Sequence, residues 1–287
     1  MPDARCPMPY AILVCSSARL LVFGNLAVGG IRVLHYEVSQ ARATITIDDQ
    51  ERRNPLSNAD MAEMARLIDT AAADDEVRVI VITGAGDQAF SAGGDLGGGF
   101  VDEPLAGHQE RGALAGLFSS MRSAGKPIVA RVNGHALGGG FGLAAACDVV
   151  IAVEDASFGT PEIKVGLWPM MITAILQRVM PHKAALELMM TGRRISADEA
   201  MRLGVVSRVT PRDELDAAVD LVVNSLVAMS PVTLRMGRDA FFAVEDLDFE
   251  AALGYLHVGL TAVALTDDAS EGVEAFLEKR RPEWRGR

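Results

Sequence analysis

Residues 126–152 read KPIVARVNGHALGGGFGLAAACDVVIA, from Lys126 to Ala152. Ile128 to Val132 is a short, mainly apolar run stopped by Asn133-Gly134, as a buried strand would be, and Val149 to Val153 is a second such run. Between them, Gly138-Gly139-Gly140-Phe141-Gly142 leads directly into the helix-forming Leu143-Ala144-Ala145-Ala146. Glycine lets backbone amides approach a ligand closely, and free amides that open a helix lie at the positive end of its dipole. The segment therefore predicts strand, amide-rich loop, helix and strand, with the loop suited to a developing anion.

The same grammar extends outward. Upstream, Val77 to Thr83 reads as a buried strand, followed by a second glycine-bearing turn, Phe90-Ser91-Ala92-Gly93-Gly94-Asp95-Leu96. Tyr36 to Ile47 alternates as a half-buried strand or hairpin does. Asn58 is placed to cap a helix running to Ala73, with Met61, Met64, Ala65 and Ile68 on one face. Another helix is expected from Leu105 to Arg122. Beyond Met170 the pattern is mainly helical: 170–179, 183–190, 197–203, 214–229, 232–244, 249–265 and 269–279, interrupted by a strand at Val205 to Val209. Strands alternating with helices predict an α/β superhelix or a doubly wound sheet. The expected division is an N-terminal extension over 1–34, a core over 35–230 and a C-terminal helical region over 231–287.

Composition narrows the function. Apolar residues make up 49% of the 287 and charged residues 23%, enough to bury a core. A net charge of −11 repels phosphate backbones, so nucleic acid is excluded as an expected partner. Cys6, Cys15 and Cys147 form neither a disulfide framework nor a metal-ligand spacing, which fits a reducing, cytoplasmic setting with no metal. Ala11 to Ile31 is largely apolar, but Arg19 splits it and the flanks lack a signal peptide's pattern, so neither export nor a membrane span is expected.

Two motif readings fail on context. Gly84-Ala85-Gly86-Asp87-Gln88-Ala89 formally matches a dinucleotide-binding turn, yet it meets SAGGDLGGG where that turn needs a long helix. Ala89-Phe90-Ser91-Ala92-Gly93 lacks the first glycine of a serine-hydrolase elbow and has no identifiable His/Asp partners.

Five ordered segments resemble the crotonase superfamily, the enoyl-CoA hydratase/isomerase family: VRVIVITGAGDQAFSAGGDL (77–96), the segment 126–152, ASFGTPEIKVGL (156–167), ALELMMTGRRISADEAMRLGVVSRV (185–209) and EGVEAFLEKRRPEW (271–284). The resemblance covers His35 to Trp284. It implies a crotonase-like α/β spiral of ββα units, with a C-terminal helical trimerisation region that builds a homotrimer or a dimer of trimers. It also implies an acyl-CoA or enoyl-CoA substrate in fatty-acid or related metabolism, with coenzyme A belonging to the substrate and no separate cofactor. Carried over by position, the oxyanion-hole amides are those of Gly94 and Gly139. The family's first catalytic glutamate falls on Gly142, and its second on Glu162. Taken alone, Glu162 reads as a solvated loop carboxylate; the resemblance makes it the one retained acid/base group.

The resemblance further implies CoA contacts at Arg52, Arg53, Ala92, Gly94, Asp95, Leu96, Phe276 and Lys279, and an acyl pocket near Leu96, Phe100, Trp168 and Met171. His135, Asp95 and Asp148 read as structural groups. Hydration ordinarily uses two carboxylates, whereas one can shuttle a proton between C2 and C4, so Δ3,Δ2-isomerisation fits the residues better than hydration. Hydratase activity, a non-catalytic acyl-CoA-binding role, and a dehalogenase or decarboxylase variant remain alternatives at this point.

Overall fold

The computed structural model describes residues 13–15, 18–20, 33–98 and 107–287. Phe100 and most of the 1–34 extension lie outside them. The alternating segment forms a hairpin, Leu34–Ser39 and Arg42–Ile47, whose inward residues include Tyr36, Val38, Ala43, Ile45 and Ile47. It opens a large sheet that continues in parallel through Val79–Gly84, Ile128–Val132, Val149–Val153 and Arg208–Thr210. On the other side of the hairpin, Ala18–Leu20 and Leu13–Cys15 add two short antiparallel strands.

A second, smaller sheet explains the glycine turns. Ala89–Ser91, His135–Leu137 and Ser157–Gly159 run parallel, with Arg194–Ser196 antiparallel at the edge. Three times the chain leaves a large-sheet strand, turns, and enters a small-sheet strand: from 79–84 to 89–91, from 128–132 to 135–137 and from 149–153 to 157–159. This is a ββα spiral, and it fulfils the expected fold class.

The helix Asn58–Ala73 starts one residue earlier in its capping than the sequence suggests. Ser57, rather than Asn58, is the cap: its hydroxyl accepts from the Asp60 amide, and the Asp60 carboxylate accepts from the Ser57 amide. Ser57 is extended, which a capping residue must be, while Asn58 already has its amide inside the first turn. This helix buries Met61, Met64, Leu67, Ile68 and Ala71, largely against Leu114, Leu117, Phe118 and Met121 of Ala113–Ser123. The helix expected from Leu105 breaks at Gly112, which caps His108–Arg111 and opens Ala113–Ser123.

The strand expected at Val205 to Val209 lies instead at Arg208–Thr210. Val205 and Val206 are buried in the turn that closes the preceding helix, and their amides donate to Ala200 O. Beyond Leu215 the chain is helical: Leu215–Val227, Pro231–Ala243, Phe249–Ala264 and Asp267–Glu278. Arg238 fastens this region to the core by donating to Asp148, Met121 O and Arg122 O. Asp148 also accepts from the Ile128 amide, the scaffolding role read from the sequence. Among the described residues, no single helix is long and apolar enough to cross a membrane.

Candidate active site

The small sheet gathers the two glycine segments and the Glu162 loop. Leu137 pairs with Gly159, and the Gly138 amide donates to Gly159 O at 2.8 Å, so the loop bearing Glu162 leaves its strand beside the glycine triplet. Gly139 opens the helix Gly139–Ala145, where the first amides have no intrahelical partner. On the facing segment, Asp95 donates its amide to Leu56 O. Successive amides of an extended chain point to opposite sides, so the Gly94 amide is turned away from that strand pair.

These two amides converge. A Cβ built on Gly139 would lie 3.4 Å from Gly94 N, and one built on Gly93 would lie 2.9 Å from Gly139 N. The approach depends on glycine backbone geometry at Gly93 (φ 97°) and Gly138 (φ 54°), a region side-chain-bearing residues rarely adopt. A Cβ on Gly138 would also lie 2.9 Å from Glu162 Oε1. The sequence-expected amides and carboxylate therefore occupy one small volume.

Glu162 sits in the short 3-10 turn Pro161–Val165, closed by left-handed Gly166, and its carbonyl accepts from the Leu167 amide at 3.0 Å. Its Oε2 is buried without a hydrogen-bond partner among the described residues, as is the hydroxyl of Thr160. Burial pushes the Glu162 carboxyl above its ordinary range, opposed by a hydrogen bond from its own backbone. A half-buried carboxyl that is easily neutralised and faces two free amides is equipped to exchange protons with a bound molecule.

Gly142 has a clear physical surrounding. A Cβ there would lie 2.9 Å from Ile172 Cγ1 and 3.1 Å from Phe118 Cζ. Ile172 is 3% exposed and Phe118 9%. The space next to this helix face is already occupied by hydrocarbon. The sequence shows that the position carries no carboxylate, but nothing in it announces that Ile172, thirty residues on, fills the gap.

The expected CoA contacts separate into groups. Arg52 donates to Asp95 at 2.7 Å and also to Asp49, while Asp95 accepts from the Gly97 amide, so Asp95 does organise its turn. Arg52 and then the Gly97 amide hold the Asp95 carboxyl below its usual range. Ala92 donates to Arg53 O at 2.9 Å. The Arg53 side chain lines a different pocket, with His135, Arg194 and Arg212. Leu96 is exposed beside Asp95, and Trp168 packs half-buried against the core.

Phe276 is 81% exposed, and Lys279 ends the last helix in a left-handed conformation. Phe276 and Met171, assigned to separate subsites by the resemblance, border one apolar cleft of about 1360 Å³ between the core and the C-terminal helices, and Phe118 forms part of its wall. His135 Nδ1 lies 3.0 Å from Ser157 Oγ, and burial first, then Arg194 and Arg53, push its imidazole below the usual range.

The chain matches the family model described as enoyl-CoA hydratase/isomerase over residues 37–287. It is 38% identical over 219 residues to a carnitinyl-CoA dehydratase of Salmonella typhimurium, spanning 75% of this chain and 84% of that one. Among solved structures it is similar to an enoyl-CoA hydratase of Mycobacterium smegmatis, with a TM-score of 0.85 and 32% identity over 88% of this chain and 99% of that one. Human enoyl-CoA hydratase domain-containing protein 3 is similar to the same degree, with a TM-score of 0.85 and 30% identity over 88% of this chain and 100% of that one.

Proposed function

The chain belongs to the enoyl-CoA hydratase/isomerase family and is an enzyme for acyl-CoA-type substrates; on that premise we propose that it moves a proton along an enoyl thioester, with Glu162 as its one acid/base group. The Glu162 carboxylate takes a proton from C2 of a 3-enoyl-CoA. The electron pair delocalises into a dienolate whose oxygen is held by the amides of Gly94 and Gly139. The resulting Glu162 carboxylic acid returns the proton to C4, and the double bond moves from C3–C4 to C2–C3. Two amide donors aimed at a developing oxyanion contribute about 3 kcal/mol or more to such a step.

The observation that supports this reading over hydration is the hydrocarbon packed against Gly142. Hydration needs a second group to hold and deprotonate water, and Ile172 and Phe118 leave no room for such a side chain at position 142. CoA is the substrate's handle, with Ala92, Gly94, Asp95 and Leu96 beside the thioester. Arg52 lies toward its nucleotide end, with Phe276 and Lys279 reaching across from a neighbouring subunit, while Trp168 and Met171 lie along the acyl group.

Residues 231–287 act as an association region, the chain forming a trimer or a dimer of trimers in the cytoplasm. Phe241, Phe249, Leu260 and Leu265 are strongly exposed there, and Phe249–Ala264 buries none of its own residues, which supports a covering subunit. Sedimentation mass tests this arrangement.

The carnitinyl-CoA dehydratase relative favours a second reading, elimination of water from a 3-hydroxyacyl thioester, in which Glu162 would take the C2 proton and a further acid would be required at C3. Incubating the purified enzyme and a Glu162→Gln variant with crotonyl-CoA and with a 3-enoyl-CoA, followed by mass spectrometry, separates the readings. Isomerised product from the wild type alone is expected. Glu162-dependent 3-hydroxyacyl-CoA would overturn the isomerase assignment.

A further inference from the structure

At the other end of the small sheet from the glycine triplet lies a polar pocket of about 510 Å³, lined by Arg53, Asp87, Gln88, Gly134, His135, Asp155, Arg194 and Arg212. The parallel strands 89–91, 135–137 and 157–159 begin here, and their far ends lead to Gly94, Gly139 and Glu162. Three extended residues separate the two regions by about 10 Å.

The pocket is built rigidly. Arg212 donates to both oxygens of Asp155, at 2.8 and 2.7 Å, and to Asn133 O at 2.8 Å. Buried Asn133 in turn bonds Gly84 N, Gly86 O and Ala89 O. Arg53 and Asn54 both adopt left-handed backbone, at φ 67° and 57°, held by the Asn54 amide on Ala85 O and Ala89 O. Non-glycine residues hold that conformation only where the surroundings impose it. Here it carries Arg53 to the pocket while Arg52 turns to Asp95.

Charge in the pocket is unbalanced. Three guanidiniums meet two carboxylates, Asp87 and Asp155, in a chain whose net charge is −11. Arg212 already compensates Asp155, whereas the side chains of Arg53 and Arg194 have no hydrogen bond or ion pair among the described residues. Gln88 and His135 add neutral polar groups. Two unengaged forks around a polar hollow match a phosphate group, which accepts bidentate guanidinium bonds.

We propose that the pocket bounded by Arg53, His135, Arg194 and Arg212 is an anion site, separate from the catalytic centre, that takes a phosphate-bearing small molecule. The test is calorimetric titration of the full chain with inorganic pyrophosphate at constant ionic strength, repeated with Arg194→Gln and with saturating CoA or dephospho-CoA. Saturable binding is expected, weakened about tenfold or more by Arg194→Gln and unaffected by either CoA form. Arg194 is exposed at a sheet edge, so the variant is expected to keep the wild-type circular dichroism and 3-enoyl-CoA turnover. Absence of saturable binding, or equal binding by Arg194→Gln, overturns the site. Competition by CoA but not dephospho-CoA overturns its separateness, because the pocket would then hold the substrate's own 3′-phosphate. A lower sedimentation mass for Arg194→Gln without any pyrophosphate binding overturns it as well, by making the pocket a contact between subunits.

Discussion

Restoring a glutamate at position 142 is the sharpest perturbation this structure suggests. The first added atom, Cβ, lands 2.9 Å from Ile172 Cγ1, 3.1 Å from Phe118 Cζ and 3.2 Å from Ile172 Cγ2. Overpacking of this kind costs about 1–3 kcal/mol, and the gain from replacing a mid-helix glycine returns about 1 kcal/mol, so Gly142→Ala is expected to cost about 0–2 kcal/mol. Gly142→Glu adds four more heavy atoms, three of them a carboxyl group, to the same apolar wall, raising the expected cost to about 3 kcal/mol or more. Ile172→Ala alone removes a fully packed side chain, at about 2–5 kcal/mol. Because the two changes share one space, the double variant should be more stable than the sum of the singles by about 1–3 kcal/mol. Urea unfolding of the four proteins measures this coupling, and crotonyl-CoA hydration is followed in parallel. A Gly142→Glu protein as stable as the wild type, or one that hydrates crotonyl-CoA as fast as it turns over a 3-enoyl-CoA, would refute the claim that packing keeps the second carboxylate out.

Glu162→Gln should lower kcat by about 10²–10⁴, the usual contribution of a positioned acid/base group. In the wild type, kcat/KM should fall with acidification through a pKa above the ordinary glutamate value, since burial raises it and the carboxylate form is the base. The sign reverses for stability: a carboxyl whose folded pKa is raised stabilises most below its unfolded value and loses that contribution as pH rises through the folded one. Glu162→Gln should therefore raise Tm at neutral pH and leave it unchanged below about pH 4. Gly138→Ala forces a side chain into left-handed backbone 2.9 Å from Glu162 Oε1, and should cost about 1–3 kcal/mol in thermal unfolding while lowering kcat more than it changes KM. Arg238→Ala strips Asp148, Met121 O and Arg122 O of their guanidinium partner, an expected loss of about 2–4 kcal/mol by chemical denaturation with 3-enoyl-CoA chemistry retained by the folded fraction.

Elements with a strong local signal were legible from the chain. The runs Ile128–Val132 and Val149–Val153 are strands with the expected limits because each is buried along its length and bounded by polar or small residues. The hairpin and the helix Met170–Val179 follow equally directly from their periods. What escaped was set by tertiary contact. The small-sheet strands are three residues long, too short for any period, and Ala89–Ser91 and His135–Leu137 overlap the segments that read as glycine-bearing turns. Val205 and Val206 are apolar because they are buried in a turn, so hydrophobicity placed a strand three residues early. Among site residues, Gly94, Gly139 and Glu162 were legible as an ordered motif. The divergence of Arg52 from Arg53 was not, because it depends on two left-handed residues, Arg53 and Asn54, held by a distant pair of carbonyls.

This division follows from how the centre is made. In the proposed reading its anion-holding atoms are main-chain amides, so the demands on sequence are for what must be absent: no side chain at Gly93 or Gly138, and nothing occupying the amides of Gly94 and Gly139. Absence at fixed spacing is conspicuous in a sequence, which is why the loops declare themselves. The reaction, by contrast, depends on which side chains reach the volume in front of those amides. Glu162 reaches it because Gly138 donates to Gly159 and sets the loop alongside the triplet. A side chain at position 142 is disfavoured because Ile172 and Phe118, from two other helices, close over Gly142. A glycine there is ambiguous in one dimension, since it can mark either an open space or a filled one. The fold resolves it as filled, and that packing ties the absence of a carboxylate at position 142 to the hydrophobic core.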